Sequence, residues 1–161
     1  MTKTTRSEAY SLSVYAIIEK GEHVLLTMDV YRPGWKLPGG GVEAHELMLE
    51  ALRREVREEV GLEIRPGRLL LITNWLKTGT SLGRMRFYFV ADHARGKIAL
   101  TDGEVAKARW FSKRELQGLK ENEFLHPRHY HEAVKRYLNN RTTETTFLEF
   151  PEGRPVISEE H

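Results

Sequence analysis

The chain has 161 residues, of which 40% are hydrophobic, so it is long enough for one globular domain with a buried core. Its net charge of +2 is too small to indicate nucleic-acid binding, and the absence of cysteine excludes disulfides, zinc-thiolate sites and thiol nucleophiles. No apolar run approaches a membrane span, and the first ten residues lack the apolar region of a secretory signal, so we expect a cytoplasmic protein without a membrane partner.

The first part of the chain predicts two strands, a shaped loop and a helix. The strands are predicted at 10–19 and 24–30, the loop at 31–41, and the helix at 45–60 with Gly61 as its C-cap. The loop ends in the sequence LPGGG, where glycine lets bare backbone approach a ligand because it has no Cβ. Since this loop leads directly into the helix, the two segments together are a candidate binding site.

The second part of the chain alternates strands and helices. One long or bent strand is predicted at 62–76, a loop at 77–83, strands at 84–92 and 105–111, and helices at 113–119 and 126–140. Ser112 is the predicted N-cap of the first of these helices, and Pro127 lies in the first turn of the second. Interleaved strands and helices indicate an α/β or α+β fold with a mixed sheet.

The domain is expected to end near residue 140. Residues 141–161 form a polar tail with one candidate strand at 145–150. Two alternatives remain open for this tail: an arm that packs on the partner subunit of a homodimer, or a loose segment.

Three glutamates, Glu55, Glu58 and Glu59, are crowded on one flank of the predicted helix 45–60. On a helical wheel at about 100° per residue they join neither the core face nor the solvent stripe, where Arg54 falls. Two carboxylates ~5 Å apart repel each other by roughly 3 kcal/mol at an effective dielectric constant of about 20. A hard divalent cation such as magnesium would offset this repulsion. The wheel alone leaves a metal site and a salt-bridged surface as alternatives.

The stretch Gly40–Leu62, GGVEAHELMLEALRREVREEVGL, resembles the complete Nudix box, and the WKLPGG sequence before it resembles the family's usual approach to the box. This resemblance implies a Nudix-type α/β/α sandwich with a central mixed sheet. It also implies a hydrolase of nucleoside diphosphates linked to another group, dependent on Mg²⁺ or Mn²⁺. One departure is His45, which stands where family members often have glycine and which we expect to be a solvated residue at the start of the helix.

The resemblance also implies roles for individual residues. Glu58 and Glu59 would be the core metal ligands, and Glu55 either a further ligand or the base for the attacking water. Arg54 would pair with a glutamate, with Glu46 the first candidate, and so hold the loop and the helix together.

Two further metal ligands are implied outside the helix. One is the carbonyl group of Gly39. The other is an acidic residue from a later loop, for which Glu104 is preferred over Asp102.

Four residues are candidates for substrate contacts: Arg32, Trp35, Arg84 and Arg86. Alternation along a strand puts Arg84 and Arg86 on one face, where they would contact phosphate or form a plain basic edge strand. Trp35 is equally well explained as a core residue. For His126, His129 and His131 we expect a solvated helix start rather than a metal site.

The function indicated by these residues is metal-assisted attack by water on a pyrophosphate linkage, without a covalent intermediate. The expected partner is a small phosphorylated substrate, a nucleoside di- or triphosphate or a related nucleoside diphosphate derivative. Removal of pyrophosphate from RNA 5′ ends is an alternative, but it predicts a more basic chain, so a nucleic-acid partner is not expected. A non-catalytic nucleotide-sensing module is a further alternative, which the complete set of box acids disfavours.

Overall fold

Two β-sheets and the helices packed against them make up the fold. A computed structural model describes residues 10–76, 83–139 and 146–150. The strands within these residues are β1 Tyr10–Ile17, β2 Glu19–Lys20, β3 His23–Asp29, β4 Trp35–Lys36, β5 Gly39–Gly41, β6 Glu63–Leu76, β7 Gly83–Arg95, β8 Val105–Ser112 and β9 Thr146–Phe150. The α-helices are α1 Met48–Val60, α2 Lys113–Gly118 and α3 Pro127–Leu138, and a short 3₁₀ helix covers Glu121–Glu123.

The larger sheet has the strand order β5-β1-β7-β6-β9 and is mixed. β1 runs parallel to β7 and β6 parallel to β9, whereas β5 is antiparallel to β1 and β6 antiparallel to β7. In the smaller sheet, β3 pairs antiparallel with β2, β4 and β8. The predicted class, α/β with a central mixed sheet, is confirmed.

The two faces of the larger sheet are covered by different helices. On one face Val14 of β1 belongs to the same buried cluster as Leu52 and Val56 of α1. On the other face Tyr15 stacks on Tyr88 of β7 at 5.4 Å between ring centroids and meets Tyr130 of α3 edge-on at 5.1 Å. Because successive side chains of a strand point to opposite faces, β1 contributes to both clusters, and the sheet lies between α1 and α3.

Helix α1 begins at Met48, three residues later than predicted. His45 has a φ of 66°, in the left-handed region that suits glycine, and the N-cap Leu47 is extended. The helix therefore cannot include residues 45–47. It ends, as predicted, at Gly61, whose φ of 70° places it in the left-handed C-cap conformation.

The segment 31–41, predicted as a loop, contains β4 and β5. Gly39–Gly41 pair antiparallel with Ser13–Tyr15 of β1. Gly39 has a φ of 136°, and a Cβ at this position would lie 2.1 Å from the carbonyl oxygen of Val14. Gly39 is therefore required for the close pairing of two backbones, which a local sequence reading takes for a turn.

Strand β6 has the predicted length and is irregular. Its pairing with β7 shifts register around Pro66 and Leu69, consistent with the missing N–H of proline. β7 extends to Arg95, beyond the predicted end at residue 92. Ser112 caps α2 through a capping box with Glu115, and Pro127 is the first residue of α3.

The candidate strand of the tail is present as β9, which pairs parallel with β6. The loop 77–82 and the rest of the tail lie outside the described residues, so the domain boundary at residue 140 and the homodimer stay predictions. None of the described helices is long and apolar enough to span a membrane.

Candidate active site

A cleft of about 240 Å³ lies between α1, the glycine strand β5, the start of β7 and the start of α3. It brings together seven of the residues that the sequence singled out. These are Arg32, Gly39, Glu55, Glu59, Arg84, Arg86 and Glu104. They come from five separate segments of the chain, which the fold converges on one opening.

Glu59 is the most buried of the three helix glutamates, with a relative exposure of 3%. Its Oε1 lies 2.5 Å from the Nζ of Lys36, and its Oε2 accepts a hydrogen bond of 2.9 Å from the backbone N–H of Gly39. Burial raises the pKa of Glu59 to about 7, and the nearby Lys36 opposes this shift. Glu59 thus ties the helix to the loop that precedes it.

Lys36 and Asp29 are site residues that the sequence analysis missed. Lys36 is 8% exposed, and its Nζ also lies 2.9 Å from Oδ1 of Asp29, so one cation serves two carboxylates from different elements. The sequence contained one signal for Lys36. Side chains alternate along a strand, so if Trp35 points into the core, Lys36 points to the opposite side.

Arg54 joins the start of the Nudix-box stretch to the helix. Its Nε and Nη2 donate hydrogen bonds of 2.8 and 2.9 Å to the two carboxylate oxygens of Glu46, and Nη2 also donates to the Gly41 carbonyl at 3.0 Å. Its Nη1 lies 3.0 Å from Glu55 and 3.1 Å from Glu58. The helical wheel placed Arg54 on the solvent stripe, but its long side chain folds back across the helix.

Glu55 is held between Arg54 and the glycine strand. A Cβ at position 40 would lie 2.5 Å from its Oε2, so glycine at this position makes room for the carboxylate. Burial raises the pKa of Glu55, and the charge of Arg54 opposes the shift. Glu58 is more open, with about half of its side chain exposed.

The two acidic candidates of the later loop differ in placement. Glu104 lines the cleft, and its carbonyl accepts a hydrogen bond of 2.8 Å from the backbone of Val30. Asp102 instead accepts hydrogen bonds from the backbone N–H groups of Glu104 and Val105, at 2.9 and 3.3 Å. Asp102 therefore shapes the loop that carries Glu104.

The donor groups of the site suit a hard divalent cation. Carboxylates at positions 55, 58 and 59 and the carbonyl of Gly39 are the oxygen ligands that magnesium and manganese prefer. In the part of the chain that the structure describes, no three acidic or histidine side chains are grouped around one point, because Lys36 and Arg54 engage the carboxylates. A metal ion therefore fits the site in donor type, and it would compete with Lys36 and Arg54 for these carboxylates.

Trp35 and His45, two further residues that the sequence singled out, lie in different environments. Trp35 packs edge-on against Phe111 at 4.8 Å between ring centroids and lies against the core, which favours the core alternative over a substrate contact. His45 is exposed, as expected.

The expectation of a solvated start to α3 is wrong. His129 is 8% exposed with its Nδ1 3.2 Å from Oγ1 of Thr73, and His126 lines the cleft. Burial, aided by Arg86, lowers the pKa of His126 to about 4 and that of His129 to about 3. Both imidazoles are therefore neutral at physiological pH. The sequence could not show this burial, which arises only when α3 packs on the sheet.

Comparisons with known proteins show which proteins this chain resembles. The family model described as "NUDIX domain" matches residues 9–153. The protein named "8-oxo-dGDP phosphatase NUDT18" from Danio rerio is 33% identical over 119 residues, which cover 68% of this chain and 34% of that protein. The "NAD-capped RNA hydrolase NudC" from Stutzerimonas stutzeri is 33% identical over 104 residues, which cover 63% of this chain and 36% of that protein. The chain therefore spans about a third of the length of these two curated relatives.

Solved structures show the same fold. A NUDIX hydrolase from Nitrosomonas europaea superposes with a TM-score of 0.70 and 25% identity, covering 83% of this chain and 91% of that one. A protein described as a UDP-X diphosphatase gives a TM-score of 0.69 at 20% identity, covering 85% of this chain and 67% of that one. The α/β/α sandwich expected from the box is thus the arrangement of these neighbours.

Proposed function

Because the chain belongs to the Nudix hydrolase family, we propose that it hydrolyses a pyrophosphate linkage in a nucleoside di- or triphosphate, or in a related nucleoside diphosphate derivative. The observation that supports this most is the convergence of Gly39, Glu55, Glu59 and Glu104 on one cleft. The names of the relatives, which act on 8-oxo-dGDP and on NAD-capped RNA, agree with a nucleotide substrate.

We propose Mg²⁺ or Mn²⁺ as the cofactor. Glu58 and Glu59 would hold it, together with the carbonyl of Gly39 and with Glu104. When bound, the metal reverses the local charge, so that phosphate oxygens can approach the acidic helix, and it lowers the pKa of a coordinated water.

The protein's own groups position the reaction. Arg54 and the space above Gly40 fix the carboxylate of Glu55, and burial raises its pKa toward the working range of a general base. Two functions are open to Glu55: to take the proton of the attacking water, or to serve as a further metal ligand. In both, water attacks phosphorus directly and no covalent intermediate forms.

The proposal is tested by Glu58→Gln and Glu59→Gln, assayed with Mg²⁺ or Mn²⁺ on a panel of nucleoside triphosphates, nucleoside diphosphates and nucleotide sugars. We expect each substitution to lower kcat/KM by about 100-fold or more, because each removes a metal ligand. Glu50→Gln, on the exposed side of the same helix, is the matched control and keeps its activity. Parental turnover in both site variants would refute the assignment.

The same panel distinguishes the alternatives. Release of pyrophosphate indicates attack at the α phosphorus, and release of orthophosphate indicates removal of the terminal phosphate. Turnover of a 5′-triphosphate RNA with strong salt dependence would favour the RNA reaction. Tight nucleotide binding with no turnover at any metal concentration would favour a sensing module. A cytoplasmic location and a homodimer are proposed from the sequence only.

A further inference from the structure

Among the residues that the structure describes, the side chain of Arg86 is a buried cation without a counter-charge. Arg86 lies in the middle of β7, beside Ser13 of β1 and Thr73 of β6, and it is only 3% exposed. Its Nε and Nη1 have no hydrogen-bond partner among the described residues, although the residue lines the cleft. Burying a guanidinium is costly unless an anion offsets its charge. The fold retains this unpaired cation beside the candidate catalytic glutamates.

Three of the four acids that line the cleft, Asp29, Glu55 and Glu59, already have cation partners, and the fourth is Glu104. Asp29 is held by Lys36 at 2.9 Å and by Arg32 at 3.2 Å. Glu59 is held by Lys36 and Glu55 by Arg54. Asp29, Glu55 and Glu59 are thus balanced by the protein's own cations, whereas Arg84 and Arg86 form no ion pair with the described residues.

Two neighbours strengthen the positive potential around Arg86. Arg84 lies on the same face of β7, because alternate residues of a strand point the same way, and it also lines the cleft. His126 lines the cleft as the N-cap of α3, where the helix dipole is positive. Because the imidazole of His126 is neutral, it offers a hydrogen bond without neutralising either arginine.

The position of Arg86 separates it from the metal-binding wall. Ser13 pairs with Gly41 on one side and with Arg86 on the other, so the Cα atoms of Gly41 and Arg86 are two strand spacings, or roughly 10 Å, apart. A group bound by Arg86 is thus distinct from a phosphate held against the glycine strand.

We propose that Arg86, with Arg84 beside it, binds the terminal phosphate of the substrate, which is therefore a nucleotide with a free terminal phosphate. The catalytic importance of this assignment rests on the proposed function. In a nucleoside diphosphate joined to an uncharged sugar each phosphate is bridged and carries one charge, whereas a terminal phosphate offers Arg86 up to two charges and three free oxygens. A phosphate supplies that charge and accepts several N–H donors at once.

The binding step is tested without metal, so that it does not depend on turnover. Inorganic pyrophosphate is titrated into the protein in EDTA by isothermal calorimetry. We expect the parent to bind and Arg86→Gln to weaken the affinity at least tenfold, whereas Arg53→Gln on α1, which loses the same charge, binds as the parent does. If Arg86→Gln fails to fold, as judged by circular dichroism, Arg84→Gln and Arg86→Lys take its place and are expected to weaken binding. No binding by the parent, or equal binding by all variants, would overturn the proposal.

The substrate class is tested by kinetics. With Mg²⁺, kcat/KM for a nucleoside di- or triphosphate is expected to exceed that for a nucleotide sugar at least tenfold, and Arg86→Lys to reduce this ratio through KM. A preference for the nucleotide sugar, or a ratio unchanged in the variant, would overturn the inference but leave the hydrolase proposal intact. If pyrophosphate binding depends on Arg86 but no substrate is turned over, the hydrolase proposal is wrong and the anion-binding site at Arg86 stands.

Discussion

Lys36 and Glu59 form a buried ion pair with 2.5 Å between Nζ and Oε1, and they link the smaller sheet to helix α1. The side chain of Glu59 is 4% exposed and that of Lys36 is 10% exposed, so water stabilises neither charge effectively. The pair holds Glu59 next to the glycine strand before any metal is bound.

Replacing Lys36 by methionine is expected to destabilise the metal-free protein by roughly 3 kcal/mol, because Glu59 then lies buried without its cation. Mg²⁺ should reduce this loss, since the metal supplies the missing positive charge. Urea unfolding in EDTA and in Mg²⁺ measures both effects. Lys107→Met, at an exposed position of β8, is the control. An equal loss with and without Mg²⁺ would show that the metal does not reach Glu59.

The three adjacent glycines of β5 predict three different outcomes for substitution by alanine. At Gly39 a Cβ would meet the Val14 carbonyl at 2.1 Å and φ is 136°, so we expect a loss of several kcal/mol of stability. At Gly40 the Cβ would meet the Glu55 carboxylate, which is the movable end of a side chain, so activity falls more than stability. At Gly41 nothing lies within 4 Å, and alanine should be neutral. Thermal melts and kcat/KM separate the three; equal effects at all three positions would contradict the prediction.

Arg54→Lys is expected to lower metal affinity or activity by about 10- to 100-fold with little loss of secondary structure. A lysine cannot reproduce the two parallel hydrogen bonds to Glu46 while also contacting Glu55 and Glu58. Arg53→Lys, one residue earlier, is the matched control. The readout is the Mn²⁺ concentration for half-maximal activity, and an unchanged value would show that Arg54 does not position the acids.

Acid is expected to destabilise the protein through its buried histidines. The folded protein keeps His129 neutral down to about pH 3, whereas the unfolded chain protonates it near pH 6.5. The unfolded chain therefore binds more protons in this window, and the stability that His129 contributes above pH 6.5 is lost as the pH falls toward 3. His129→Asn should flatten the decline of the melting temperature between pH 6.5 and 4, with His93→Asn at an exposed position as control. An equally steep decline in His129→Asn would contradict the burial of this imidazole.

The sequence correctly predicted the structural features that depend on residues close together in the chain. The end of α1 at Gly61 and the cap at Ser112 follow from local backbone preferences. The helical wheel placed Glu55, Glu58 and Glu59 on one flank outside the solvent stripe, and the structure covers Glu55 and Glu59 but leaves about half of the Glu58 side chain exposed. The resemblance to the Nudix box predicted the segment followed by a helix that together form one side of the cleft.

What the sequence could not predict are contacts between distant elements. Lys36 and Glu59 are 23 residues apart and meet because the tertiary fold brings the side chain of Lys36 in β4 to helix α1. Arg54 was assigned to solvent because a wheel records the direction of the Cβ, not the reach of a long side chain. The burial of His129 depends on Thr73, 56 residues earlier. Each of these needs the tertiary arrangement before its chemistry can be inferred.

The segment 99–104, which carries Glu104, is held at both ends by backbone hydrogen bonds. The N–H of Ala99 donates to the last carbonyl of α1, that of Val60, at 3.0 Å, and the carbonyl of Glu104 accepts from Val30 of the β3–β4 connection at 2.8 Å. Adding or deleting one residue between these two anchors would change which side chain faces the helix, whereas length changes before Ala99 leave that alignment intact. The number of residues from 99 to 104 therefore decides whether a carboxylate arrives at the cleft.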